Sequence, residues 1–258
     1  MAMSSRKIMP RWMFAGLLAT SLVSLMSVSA AQDTTPASAA SSATKVPSDT
    51  DLAAAHCVIG EERFLPGDYY YCLASQSYGL QRYEYAKKFF TTAASWASKP
   101  AQYVLGVMAL QGDHQPVNRP LALAWWTLAS ERPNSTFKAA HDALYAKASR
   151  ADRREADNLL TTMRATYADA VAATRAEQRY TRGMADLARL DKGGSKFCLA
   201  GMSPASSPVN DPESCPTIQA VTKQIDHAAI NVFDGWSGHV TVGPLQQVDA
   251  PSHAGGAL

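Results

Sequence analysis

Ala86-Lys-Lys-Phe89-Phe90-Thr91-Thr-Ala93 reappears 36 residues later as Ala122-Leu-Ala-Trp125-Trp126-Thr127-Leu-Ala129. Both stretches read small-x-x-aromatic-aromatic-Thr-x-Ala. The spacing i, i+3, i+4, i+7 puts the alanines and aromatics on one face of a helix. Small side chains let a neighbouring helix approach closely, and the aromatics fill the groove between the two axes. Around these copies, aromatics and small residues recur at helical spacing from Asp68 to about Leu190, with Pro and Gly mostly between the periodic stretches. The pattern predicts helices over Asp68–Tyr78, Arg82–Trp96, Pro100–Gln111, Arg119–Glu131 and Ser135–Ala148. Seven of the ten tyrosines lie between Tyr69 and Tyr103, so the densest core is expected within residues 69–145.

Between the two copies runs Ala101-Gln-Tyr103-Val-Leu105-Gly106-Val-Met108-Ala-Leu-Gln-Gly112-Asp113, then Asn118-Arg-Pro-Leu-Ala122. This stretch resembles a Sel1-like repeat, a helix-turn-helix unit with A-x-x-x-L-G-x-x-(Y/M)-x-x-G on its first helix and A-x-x-W-(Y/W)-x-x-A on its second. Ala101, Leu105, Gly106, Gly112, Ala122, Trp125 and Ala129 fall on that pattern, and Met108 sits one place early for the aromatic slot. The match covers about a quarter of the chain. The period is close to the 34 residues of tetratricopeptide repeats, but the loop from Gly112 to Pro120 is longer than their turn. The resemblance implies a short α-hairpin solenoid over residues 51–148, with adaptor roles in envelope or secretion settings. In such a fold Gly106, costly inside a helix by about 1 kcal/mol against Ala, marks a helix packed directly on its backbone. Ala86, Phe89, Phe90, Ala93, Ala101, Leu105, Gly106, Gly112, Ala122, Trp125, Trp126 and Ala129 are the expected repeat core.

The chain begins with a basic, acid-free stretch (Arg6, Lys7, Arg11), an apolar run from Trp12 to about Val28, and small residues at Ser29–Ala31. These are the parts of a secretory signal peptide over residues 1–30. Residues 31–50, with thirteen Ala, Ser or Thr, read as a disordered linker. No later apolar stretch has spanning length, so no membrane span is expected after cleavage, and the expected location is periplasmic or secreted. Without the first thirty residues the net charge is −1. A nucleic-acid partner, which needs a clear cationic excess, is not expected. Four cysteines in an exported chain favour structural disulfides over redox or zinc chemistry. Local pairing, Cys57 with Cys72 and Cys198 with Cys215, is the simplest of the three connectivities.

Residues 149–192 contain no Pro and one Gly, and read as a long helix packed on the repeats, ended by Gly193-Gly194. A helical hairpin packed on the repeats belongs to the same reading, and a coiled-coil dimer helix, with too short an a/d seam, is the competing one. Residues 193–250 are expected to hold a disulfide-bridged loop, a short helix over Thr217–Ala229 and a β-hairpin from Ile230 to Leu245 turning at Asp234-Gly235. The tail, 251–258, is expected to be disordered.

No zinc-protease, phosphate-loop, dinucleotide or EF-hand motif occurs. The six histidines are scattered, and Asp234, Ser237 and His239 lack nucleophile-elbow spacing. No catalytic, cofactor-binding or metal-binding residue is assigned, and no cofactor is implied. The sequence therefore favours a mainly α, non-enzymatic exported repeat protein that binds an unknown protein or peptide. The alternative is a periplasmic enzyme, or an accessory to one, acting on cell-wall-related substrates through residues that only folding brings together.

Overall fold

In the computed structural model, residues 46–199 and 214–236 are described. They are mainly helical: α1 (Asp49–Ala53), α2 (Pro66–Gly79), α3 (Tyr83–Ser95), α4 (Lys99–Gln111), α5 (Arg119–Ala129), α6 (Lys138–Lys147), α7 (Arg150–Tyr167), α8 (Asp169–Leu190) and α9 (Ile218–Val232). A 3-10 turn, Glu61–Arg63, precedes α2. The start signals have local causes. Pro66, Pro100 and Pro120 occupy first-turn positions, where a missing N–H costs nothing. Asn118 Oδ1 accepts the Leu121 N–H at 2.9 Å, and Ser149 with Asp152 forms a capping box. Gly112, at φ 70°, takes the left-handed conformation that stops α4.

Helices α2 and α3 run antiparallel: Tyr71 meets Phe90, Tyr70 stacks on Phe89, and Tyr78 meets Tyr83 beside the connecting turn. α4 and α5 do the same, with Asn118 N–H bonded to Ala109 O at one end and Lys99 to Leu128 O at the other. Small residues set the spacing. Ala86, Ala93, Ala101, Ala122, Ala124 and Ala129 are all 0% exposed, so backbones approach through their methyls. A Cβ at Gly106 would overlap the Trp126 indole, which stacks on Tyr103 and donates its N–H to Tyr103 O at 3.0 Å. Phe137 stacks on the other side of Tyr103. Burial of Phe90, Trp125 and Trp126 contributes on the order of 2–3 kcal/mol each.

This first core takes in α7, where Leu160 is buried and Tyr167 meets Trp125 edge-on. A second core forms where α8 and α9 close on the segment before α2. It comprises Phe64, Leu65, Ala176, Leu187, Leu199, Ile218, Val221, Ile225, Ala229 and Phe233. Ala97, Ala172 and Ala173, with Trp236 against them, lie between the two. The disulfides Cys57–Cys72 and Cys198–Cys215 are both formed, which fits an oxidising compartment. Beside the second, Phe197 N–H bonds Pro216 O and Ile218 N–H bonds Ser195 O. No helix among the described residues is long and apolar enough to cross a membrane.

Three expectations are corrected. Residues 149–192 are not one helix: Ala168 is extended (φ −67°, ψ 147°) and separates α7 from α8. The break is set by tertiary bonds described below. Ile230–Val232 are not a strand but the last turn of α9. The stripe Ile218, Val221, Ile225, Ala229, Phe233 has helical spacing and is buried throughout, which overrides the β preference of the branched residues. Gly235, at φ 70°, follows the helix end instead of turning a hairpin; the remainder of that hairpin reading lies outside the described residues. Finally, the linker's last residues, Asp49 and Thr50, already belong to α1. Ser48 and Asp51 cap it reciprocally, with Ser48 N–H bonded to Asp51 Oδ2 at 2.9 Å. The signal-peptide stretch, most of the linker and the tail lie outside the described residues.

Candidate functional site

Four charged side chains meet where the two cores join. Lys99 opens α4, Glu131 and Arg132 follow α5, and Asp169 opens α8. Lys99, Arg132 and Asp169 are buried. Lys99 Nζ lies 3.0 Å from Glu131 Oε2 and 2.9 Å from Asp169 Oδ1, and donates to Leu128 O at 2.7 Å. Arg132 Nε donates to Asp169 Oδ2 at 3.0 Å, and its Nη1 donates to Val232 O and Asp234 O at 2.8 and 2.9 Å. Two cations thus face two carboxylates, and the hydrogen bonds offset part of the desolvation cost. A lysine in the first turn of a helix opposes the helix dipole, whereas Asp169 at the start of α8 is favoured by it. The carboxylates compensate Lys99.

The cluster also explains the break at Ala168. Glu131 Oε2 accepts the Asp169 N–H at 2.9 Å, and Gln102, itself 0% exposed, donates to Tyr167 O at 2.8 Å and to Ala94 O at 3.3 Å. The last carbonyl of α7 and the first N–H of α8 therefore have side-chain partners, which an uninterrupted helix would not need.

Above this cluster opens a cleft of about 260 Å³. Its walls are the start of α2 (Gly67, Asp68), Ser98 and Pro100, the loop Asn134–Phe137, and the end of α9 (Asn231 to Gly235). The lining is largely apolar, with Pro100, Phe137 and Val232 beside the amides of Asn134 and Asn231, the hydroxyls of Ser98, Ser135 and Thr136 and the acids Asp68 and Asp234; Lys99 and Arg132 are held in ion pairs. Ser135 Oγ is committed to its own loop, donating to Ala129 O and accepting from Phe137 N–H. Among the described residues no histidine or thiol lines the cleft. Asp68 sits exposed at its mouth, and the protein packed around its carboxyl raises the pKa. Glu61 is pushed up to about 7, first by burial and then by the charges of Asp68 and Glu62, but it is not a lining residue. Among the described residues no group of three or more His, Cys, Asp or Glu could hold a metal ion. The described lining thus sets amides, hydroxyls and two carboxylates into a largely apolar surface.

The residues singled out in the sequence lie elsewhere. Ala86, Phe90, Ala93, Ala101, Leu105 and Trp125 are in the first core, Ala122 and Ala129 are fully buried, and Trp126 and Gly106 form a close contact. Phe89 is half-buried against Tyr70. Cys57, Cys72, Cys198 and Cys215 tie the segments that flank the second core. Of Asp234, Ser237 and His239, only Asp234 is described, and its carbonyl serves Arg132. Lys99, Gln102, Glu131, Arg132 and Asp169 had no sequence signal beyond two charges set against Pro133 and a lysine before Pro100. No family model, curated protein or solved structure matches this chain.

Proposed function

We propose that this is an exported, Sel1-like helical-repeat protein that binds a segment of another protein in the cell envelope without chemically altering it. The reading rests on where the aromatics go. Phe90, Trp125 and Trp126 are interior, at 3%, 7% and 7% exposure, and so act as packing between helices. What remains open is a largely apolar cleft with a few amides and hydroxyls in its walls, a surface that suits an apolar side chain and the main chain beside it. Its volume suits a few residues of peptide or one polar loop. The pairs α2/α3 and α4/α5 are the repeat units, α1 with the Cys57–Cys72 loop protects one end of the stack, and α6 with α7 covers the other.

A photo-crosslinking amino acid placed at Asn134, in the cleft wall, tests the proposal in cells. Crosslinks to one or a few envelope proteins, lost when Phe137→Arg fills the cleft, are the expected result. If Asn134 captures nothing above an exposed control position on α7, such as Arg154, the cleft is not the binding surface. Turnover of cell-wall fragments by the purified chain would replace the adaptor reading with an enzymatic one.

A further inference from the structure

We infer that α8 carries a second recognition groove, suited to a short acidic peptide anchored by a large apolar side chain. Arg179, Arg182, Gly183, Leu187 and Leu190 recur at helical spacing on one face of α8. The 3-10 turn before α2 lies against that face. A Cβ at Gly183 would stand 2.6 Å from Phe64 Cδ1 and 3.0 Å from Arg63 O, so the bare glycine lets the turn seat there. Phe197 closes the end, leaving a groove of about 390 Å³.

Its two ends differ in chemistry. Arg63, Arg179 and Arg182 are exposed guanidiniums, and none forms an ion pair among the described residues. Arg182 Nε bonds only the Gln178 carbonyl of its own helix. The one carboxylate among the groove's described lining residues, Asp186, is paired with Arg189. The other end is apolar: Phe64 and Leu187 form a buried floor, and Leu190 is 54% exposed. The chain as a whole carries only +2, so this excess of cations is local. Three guanidiniums are too few to track a nucleic-acid backbone, yet they match two or three carboxylates. From Arg179 to Leu190 the helix rises about 16 Å, roughly the span of five extended residues. The ligand chemistry that fits is a peptide with carboxylates at one end and leucine- or phenylalanine-like side chains at the other.

The test is a fluorescence-anisotropy titration of the full, disulfide-intact chain with a labelled peptide bearing leucines at one end and glutamates at the other. Saturable binding that weakens with salt is expected. Arg179→Glu with Arg182→Glu should weaken it about tenfold or more. Leu190→Ser should weaken it while leaving the salt dependence in place. A charge-matched control far along the chain, Arg150→Glu with Arg154→Glu, should leave it unchanged. All five positions are exposed, so helix content by circular dichroism should match the parent. The inference is overturned if the lysine version of the peptide binds as well, if the control weakens binding equally, or if no saturation is reached. This groove shares no lining residue with the cleft, so crosslinking at Asn134 and this titration can fail independently.

Discussion

Gly106→Ala sets helix propensity against packing, and the two predict opposite signs. On propensity alone the substitution stabilises α4 by about 1 kcal/mol. In the structure the new methyl would overlap Trp126 Cδ1 and Nε1, atoms of a rigid ring held between α4 and α5. Moving that ring costs about 1–3 kcal/mol in overpacking. It also breaks the 3.0 Å bond from the indole N–H to Tyr103 O, which leaves a half-buried donor unpaired at about 1–2 kcal/mol. The net expectation is a loss of about 2–3 kcal/mol. Urea denaturation followed by circular dichroism reads it as a lower midpoint at unchanged slope. The same substitution in a Trp126→Leu background removes the clash, and there it should be neutral or stabilising by up to about 1 kcal/mol. A neutral or stabilising effect of Gly106→Ala in the parent chain would refute this account of the helix contact, and with it the physical basis of the repeat reading.

Asp169→Ala leaves Lys99 buried with Glu131 and Arg132 buried with backbone carbonyls in place of its carboxylate, and should cost about 3–5 kcal/mol; adding Arg132→Met should recover part of that loss, read in the same denaturation assay. Reducing both disulfides should raise the intact mass by four hydrogens. It should also lower stability by about 3 kcal/mol for the Cys57–Cys72 loop, whose separation is 15 residues, checked with a Cys57→Ser, Cys72→Ser variant. The folded state holds the Glu61 proton more tightly than the unfolded chain does. Its stabilising contribution is therefore full below pH 4.5 and is lost as the pH rises to about 7. After discounting for partial exposure, Glu61→Gln should flatten the stability profile in that window by about 1–2 kcal/mol, and an unchanged profile would remove Glu61 as its cause.

The helices from α2 to α5 were legible because their apolar residues repeat at the helical period and prolines punctuate them. The local disulfide pairing was legible from spacing and turn residues. The break at Ala168 was not. Alanine is the best helix former, and the bonds that interrupt the helix come from Gln102 and Glu131, which are far away in sequence. The charged cluster was hidden for a related reason: buried ion pairs have no period, and Lys99 looks like any surface lysine until Asp169 is beside it. The end of α9 was misread because Ile230 and Val232 suit a strand and Asp234-Gly235 suits a hairpin turn. Contact with the second core decided the matter instead. The cleft has no signal at all in a linear reading, since its walls come from α2, the Asn134–Phe137 loop and α9.

Arg132 reaches forward 100 residues to the Val232 carbonyl. During synthesis, then, the paired hairpins emerge long before the groups that complete this guanidinium's partners. Until α9 arrives, Phe64, Leu65 and Leu187 lack the covering that α9 supplies. A chain released early would therefore be mostly helical yet sticky, with a solvent-facing apolar seam that a protease or chaperone would recognise. The arginine's bonds to Val232 O and Asp234 O thus form only after α9, the last of the described helices, has been made.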